Sequence, residues 1–166
     1  MKINYIKLIT SIIICQLAGF IGSLFTTSSV NSWYLTLNQP FFNPPSWVFA
    51  PVWISLYLLM GISLYIVWNK KPKKRETRTK TKSKIWKTAL SIFVIQLVLN
   101  SLWSILFFGL KSPLFAFIEI VLLWISIILT MFYFKKFSKT SFYLLIPYIL
   151  WVSFALILNL GYVLLN

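Results

Sequence analysis

The sequence predicts an all-α integral membrane protein, a five-transmembrane-helix bundle forming a single domain over residues 1–166. Three observations predict it. Apolar residues fill 59% of the chain and charged ones only 11%, against about 45–50% and about 25% in soluble domains, and the mean hydropathy is +0.83. Five apolar stretches reach the roughly 20 residues that carry a helix across a bilayer. The charge is also gathered into one place, with ten of the sixteen Lys and Arg lying between Lys70 and Lys87. Hydrocarbon offers the backbone no hydrogen-bond partners, so the spans must be helices, and no period-2 alternation marks a barrel.

Span 1 is expected over residues 5–27. Lys2 and Lys7 precede it as in a signal peptide, but the apolar run is long and lacks an A-x-A-like cleavage site, so it reads as a retained span. Ala18 with Gly22, and Gly19 with Ser23, put small residues four apart, which lets helices approach closely. Span 2, residues 47–68, follows a loop unlike anything lipid requires. The stretch from Trp33 to Met60 holds three of the eight Trp and four of the seven Pro. Pro51 falls in the first turn of span 2, where a missing N–H costs little. Residues 70–84 are basic, free of apolar side chains and expected to be a disordered tether. Span 3 covers 85–110 and span 4 covers 114–134, with Glu119 the one acid inside a span. No cation within the spans can pair with that carboxyl, so it is expected neutral or hydrogen-bonded to a neighbouring helix. Together with Ala116, Ser126 and Thr130 it also reads as a seam between copies. Span 5 covers 141–165, and Pro147 should kink it or free a carbonyl near Tyr143.

Five spans place the chain start, the 2–3 loop and the 4–5 loop on one side of the membrane. Fifteen cations lie there, and only Lys111 lies on the other side. The positive-inside rule then puts the N-terminus in the cytoplasm and the C-terminus outside, with residues 33–45 on the outer face. A plasma membrane is the simplest host.

Several function classes are excluded or demoted. The chain has no His and a single Cys, Cys15, so neither an intrachain disulfide nor a Cys/His metal site can form. Cys15 reads as a small buried hydrophobe. No Ser/His/Asp set, carboxylate pair or Gly-rich phosphate loop is present. The net charge of +14 would suit nucleic acid, but its confinement to one loop between spans excludes that partner in favour of the bilayer. Anionic lipid is the partner expected at loop 70–84.

Helical spacing aligns positions three, four and seven apart. Gln96, Asn100, Trp103 and Phe107 form one such stripe on span 3. Pro147, Trp151, Ala155, Asn159 and Tyr162 form another on span 5, and Trp53, Tyr57, Met60 and Leu64 a third on span 2. Amides and indoles avoid lipid and should face the bundle interior. Singly, each reads as interhelical glue. As a set under an aromatic loop they read as a pocket for a flat apolar ligand.

The blocks WY at Trp33, NPPSWVFAPVW from Asn43 to Trp53, LYLLMG ending at Gly61, QLVLNSLWSILFFG from Gln96 to Gly109 and PYILWVSFALILN from Pro147 to Asn159 resemble the translocator protein / tryptophan-rich sensory protein (TspO/MBR) family. The resemblance implies five helices around a pocket beneath the first loop, often in a homodimer, that binds porphyrins such as protoporphyrin IX. Carried over by motif, the ligand-binding residues would be Tyr34, Trp47, Trp53, Tyr57, Asn100, Trp103, Phe107, Trp151, Ala155 and Asn159. Some family members are proposed to degrade porphyrin in light, and Trp53 and Trp151 would then be the catalytic positions. The family's sterol-recognition pattern needs a Lys or Arg after a Tyr, and Tyr162 is followed only by VLLN, so that motif is not supported.

The function expected is therefore membrane-embedded binding and sensing of porphyrin-type tetrapyrroles, regulating tetrapyrrole or stress responses and requiring no cofactor. The lack of His favours metal-free porphyrin over haem held through iron. Light-dependent porphyrin breakdown and transport of an apolar metabolite are the alternatives.

Overall fold

Asn4 opens the first helix by accepting a hydrogen bond from the Lys7 amide at 3.1 Å, which closes one donor that a helix start leaves free. The computed structural model describes residues 3–72 and 79–166. Helix α1 runs Tyr5–Ser29, the single turn α2 Trp33–Thr36, and α3 Phe49–Asn69 after a 3-10 turn at Ser46–Val48. Helix α4 runs Thr79–Ser104 and continues as a π-turn over Ile105–Gly109. Then follow α5 (Pro113–Lys135), α6 (Lys139–Leu144) and α7 (Ile146–Leu165). Five of these stretches are long and apolar enough to span a membrane: Tyr5–Ser29, Ser46–Asn69, Lys80–Gly109, Pro113–Lys135 and Lys139–Leu165.

The 2–3 connection corrects one expectation. Thr79–Lys84, expected in the disordered loop, are the first turns of α4. Lys side chains lose little freedom in a helix, and the Trp86 indole N–H anchors this end of α4 by donating to the Val67 carbonyl at 2.9 Å. Residues 73–78 of that loop lie outside the described residues. The proline expectations hold. Pro51 lies in the first turn of α3, and the fifth span breaks at Leu145, two residues before Pro147, into α6 and α7.

The helices pack in a ring. Helix α3 lies on α1, α1 on α4, α4 on α5, α5 on α7, and α6 returns to α3. Ser141 Oγ donates to the Ser63 carbonyl at 2.6 Å and closes the ring at the end carrying the lysines. In that half Met60, Val67, Phe93, Phe134, Leu145 and Tyr148 fill the interior, and Phe93 stacks on Phe134 at 5.5 Å. The opposite end, under residues 30–48, has a separate cluster around Tyr34, Phe107, Phe108 and Tyr162. Outward faces are apolar; α1 exposes Ile6, Ile9, Ile13, Leu17, Phe20 and Leu24. In a bilayer such a face carries no penalty, because lipid tails are as apolar as leucine.

Glu119, Ala116, Ser126 and Thr130 are buried within the bundle. That face of α5 is covered by the chain itself, so it is not a seam between copies. Neither oxygen of Glu119 has a hydrogen-bond partner among the described residues, which removes the expected tie to a neighbouring helix.

Candidate ligand cavity

The wall begins on α3, where an i, i+4 pair puts the Trp53 indole against the Tyr57 ring, stacked at 5.5 Å and 27°. The Tyr57 hydroxyl donates to Asn100 Oδ1 on α4. Asn100 Nδ2 donates in turn to the Tyr148 hydroxyl at 3.0 Å, and Tyr148 donates to Gln96 Oε1 at 2.9 Å. This chain of buried groups ties α3, α4 and α7 together and makes a floor. An unpaired buried polar group is costly, which holds these side chains to their bonds; only the Gln96 Nε2 at the end of the chain is without a partner in this set among the described residues.

Higher up, Trp103 stacks on Phe107 at 5.1 Å and 23°. Its indole N–H donates to Asn159 Oδ1 at 3.0 Å, and Asn159 Nδ2 donates to the Pro113 carbonyl at 2.9 Å. One amide thereby joins α4, α5 and α7. The π-turn at the end of α4 buries the adjacent Phe107 and Phe108 together, and Ser29 Oγ caps the Phe108 carbonyl at 2.8 Å. Trp151 meets Phe49 edge-on at 6.0 Å, and its indole N–H has no partner among the described residues.

Residues 33–45 close the top and are held by the last turns of α7. The Tyr162 hydroxyl donates to Tyr34 at 2.6 Å, and Tyr34 donates to Asn43 Oδ1 at 3.2 Å. The Asn38 amide donates to Asn166 Oδ1 at 2.9 Å, and Asn166 Nδ2 donates back to the Asn38 carbonyl at 3.2 Å. Pro40 sits so close over Gly161 that a Cβ there would come within 2.7 Å of its Cγ.

Beneath this lid lies a cavity of ≈ 420 Å³, inside the roughly 300–1,000 Å³ range of small-molecule sites. Tyr34, Trp53, Tyr57, Asn100, Trp103, Phe107, Trp151, Ala155 and Asn159 all line it. Trp47 does not. It stands 74% exposed on the 3-10 turn, pointing outward as an interfacial indole does. The amides are both glue and wall, since the bonds that join the helices also hold the lining rings in place.

Sequence reasoning missed part of the wall. Gly19, Ser23, Thr26 and Thr27 of α1 line the cavity; the first two read only as packing, and the two threonines gave no signal. Gly19 leaves the space that the Tyr57 ring occupies, and a Cβ there would run into that ring. Tyr148, in the floor and not the lining, is 1% exposed and faces the interior, whereas Pro147 of the expected stripe is exposed. A stripe through 148, 152, 155, 159 and 162 would have found it.

Comparison with known proteins places this arrangement. A family model described as TspO/MBR family matches residues 11–165. The chain is 45% identical over 163 residues to "Tryptophan-rich protein TspO" of Archaeoglobus fulgidus, covering 98% of this chain and 99% of that one. It is 44% identical to the protein of the same name from Chlorobaculum tepidum, covering 92% and 91%. It is 32% identical to "Translocator protein" of Ovis aries, covering 85% and 79%.

Proposed function

The chain belongs to the TspO/MBR family and is an integral membrane protein with five spans, and on that premise we propose that it binds and senses porphyrin-type tetrapyrroles and similar apolar planar ligands, regulating tetrapyrrole or stress responses. The observation that supports this reading is the lidded cavity of ≈ 420 Å³ whose sides are the rings of Trp53, Tyr57, Trp103, Phe107 and Trp151. Flat aromatic walls suit a flat conjugated ligand, since offset and edge-on ring contacts add about 0.5–1.5 kcal/mol each beyond area burial. The ring would lie between the α3 and α7 tryptophans, and the lid would hold it away from water.

Titration of the purified protein with protoporphyrin IX tests the reading. Tryptophan fluorescence should quench saturably at micromolar ligand. Trp53→Ala should weaken binding at least about tenfold, equivalent to about 1.4 kcal/mol, whereas Trp47→Ala should leave it within about twofold. Equal losses in both variants would remove Trp53 from the site.

A second reading is favoured by one observation: Trp53 and Trp151 both face the cavity, within reach of a bound, photoexcited ring. Light-dependent porphyrin breakdown would then show as bleaching that Trp53→Phe or Trp151→Phe abolishes. The packed half of the bundle below the Tyr57–Asn100–Tyr148 floor favours binding over transport through the protein.

The lysine end is proposed to be cytoplasmic, in a plasma membrane, and to touch anionic lipid headgroups. There Lys7 lies over the Trp68 ring, Lys71 over Trp86 and Lys136 over Tyr133, at 5.8, 5.6 and 4.8 Å, an aromatic and cationic belt of the kind that marks a membrane interface. The family resemblance extends the proposal to a homodimer, which light scattering in detergent would check.

A further inference from the structure

Helix α4 begins against the electrostatics of helices. The N-terminus is the positive end of the backbone dipole, where carboxylates stabilise and ammoniums destabilise. Yet α4 has no acid in its first turn and carries Lys80, Lys82, Lys84 and Lys87 close to its start. Lys80 and Lys84 also stand four apart, a like-charge spacing that weakens a helix further. The only acidic side chain among the described residues is Glu119, which is buried inside the bundle. It offsets none of these charges, so an anion from outside the chain is the natural partner of this end.

Three of the four lysines share a face. Lys80, Lys84 and Lys87 are exposed, and steps of four and three carry the same line on through Ser91, Val94 and Val98, which are exposed as well. Lys82 falls on another face. Depth follows from Trp86, whose indole donates to the Val67 carbonyl near the end of α3 at Asn69. Lys87 is therefore level with the end of α3, and Lys84 and Lys80 stand about 4.5 and about 10.5 Å further out, at 1.5 Å per residue. A headgroup layer is only about 5–7 Å deep on each side of the hydrocarbon. The line thus starts among lipid tails, crosses the level of the glycerol phosphates and ends above it.

We propose that this face of α4 holds one phospholipid whose headgroup carries a second phosphate beyond the one at the glycerol. An acyl chain lies along Val94 and Val98, the inner phosphate at Lys87 and Lys84, and the outer phosphate at Lys84 and Lys80. Lysine suits this task as a compact point charge on a flexible stem, able to meet phosphate from several directions. A lipid with a single phosphate leaves Lys80 without an anion, and a dissolved anion leaves the apolar half of the line unused. The proposal rests on the reading that the lysine end touches anionic headgroups, and it specifies the helix face and the headgroup.

The test counts lipids bound to the full chain in neutral detergent by native mass spectrometry. Phosphatidylcholine, phosphatidylglycerol and a phosphatidylinositol monophosphate are titrated separately. One copy of the two-phosphate lipid should bind at least about tenfold more tightly than phosphatidylglycerol, which is about 1.4 kcal/mol, and phosphatidylglycerol more tightly than phosphatidylcholine. A preference below tenfold overturns the inference while leaving headgroup contact standing. Anionic lipids that bind no better than phosphatidylcholine overturn both. Lys80→Gln, Lys84→Gln and Lys87→Gln combined should weaken the two-phosphate lipid at least about fivefold, as the loss of several exposed ion pairs does. The charge-matched combination of Lys71→Gln, Lys82→Gln and Lys139→Gln should leave it within about twofold. A loss in the first set no larger than in the second removes the site from α4. The soluble inositol bisphosphate headgroup at equal concentration should fail to displace the lipid, and displacement would assign the face to a dissolved anion instead. Hydrogen exchange gives a second readout: amides 79–87 should be slowed by the two-phosphate lipid in the parent, and no slowing there overturns the placement.

Discussion

Asn159 joins three helices with one side chain, and that claim can be tested without any ligand. Replacing it with Leu keeps the branched heavy-atom skeleton and removes two hydrogen bonds, the 3.0 Å bond from Trp103 and the 2.9 Å bond to the Pro113 carbonyl. Side-chain hydrogen bonds between membrane helices average about 0.6 kcal/mol and reach about 1.7. Asn159→Leu should therefore destabilise the bundle by about 1.2 kcal/mol, with an upper bound near 3.4. Trp103→Phe removes only the first bond and should cost about 0.6 kcal/mol plus any packing lost with the larger ring. In the double variant that bond can be lost only once. The coupling energy of the cycle should then equal one bond, about 0.6 kcal/mol, at the low end of the roughly 0.5–3 kcal/mol seen between groups in contact. The assay is equilibrium unfolding in mixed micelles with increasing SDS, followed by circular dichroism, on the parent, both single variants and the double. A coupling energy within about 0.2 kcal/mol of zero would refute the tie, and with it the argument that Trp103 is held on the cavity wall by α7.

Other predictions follow from the same geometry. Gly19→Ala places a Cβ where the Tyr57 ring lies; the ring cannot retreat easily, being stacked on Trp53 and bonded to Asn100. The variant should lose about 1–3 kcal/mol of stability from overpacking and bind porphyrin at least about tenfold more weakly, as read by SDS unfolding and fluorescence titration. Asn166→Ala cuts the two bonds that hold Asn38 of the lid to the end of α7, and neither residue lines the cavity. Stopped-flow quenching should show association and dissociation both accelerated several-fold, with affinity within about twofold, as expected when a gate and not a wall is altered. Glu119→Gln should leave porphyrin affinity within about twofold and stability within about 1 kcal/mol, because neither carboxyl oxygen has a partner among the described residues and Glu119 is not among the residues that line the cavity. A large loss of binding in that variant would assign the carboxyl a role that the geometry does not give it.

The aromatic and amide stripes were legible because a helix in lipid has only one place to put an indole or an amide, so spacing alone aligned Asn100 with Trp103 and Phe107. That reasoning has limits, seen in particular residues. It placed Pro147 on the interior stripe because four-residue steps from Trp151 reach it, whereas the helix break at Leu145 turns Tyr148 inward. It grouped Trp47 with the site because its motif neighbours belong there, yet the 3-10 turn at Ser46–Val48 points that ring outward. The small residues of α1 gave no chemical signal, since Gly19 and Ser23 contribute space and carry no distinctive group.

By itself the sequence determined that five apolar helices cross a bilayer, which end carries the lysines, and which rings and amides avoid lipid. These follow from transfer energetics, and each residue type pays or gains them wherever its neighbours are. Only the tertiary structure decided that α3 and α7 stay apart beneath the lid while α6 closes on α3 below it, that one amide holds α4, α5 and α7 in register, and that Gly19 makes room for Tyr57. Those are matters of which groups meet, and a hydrogen bond between Trp103 and Asn159, 56 positions apart in the chain, exists only once the ring of helices has closed.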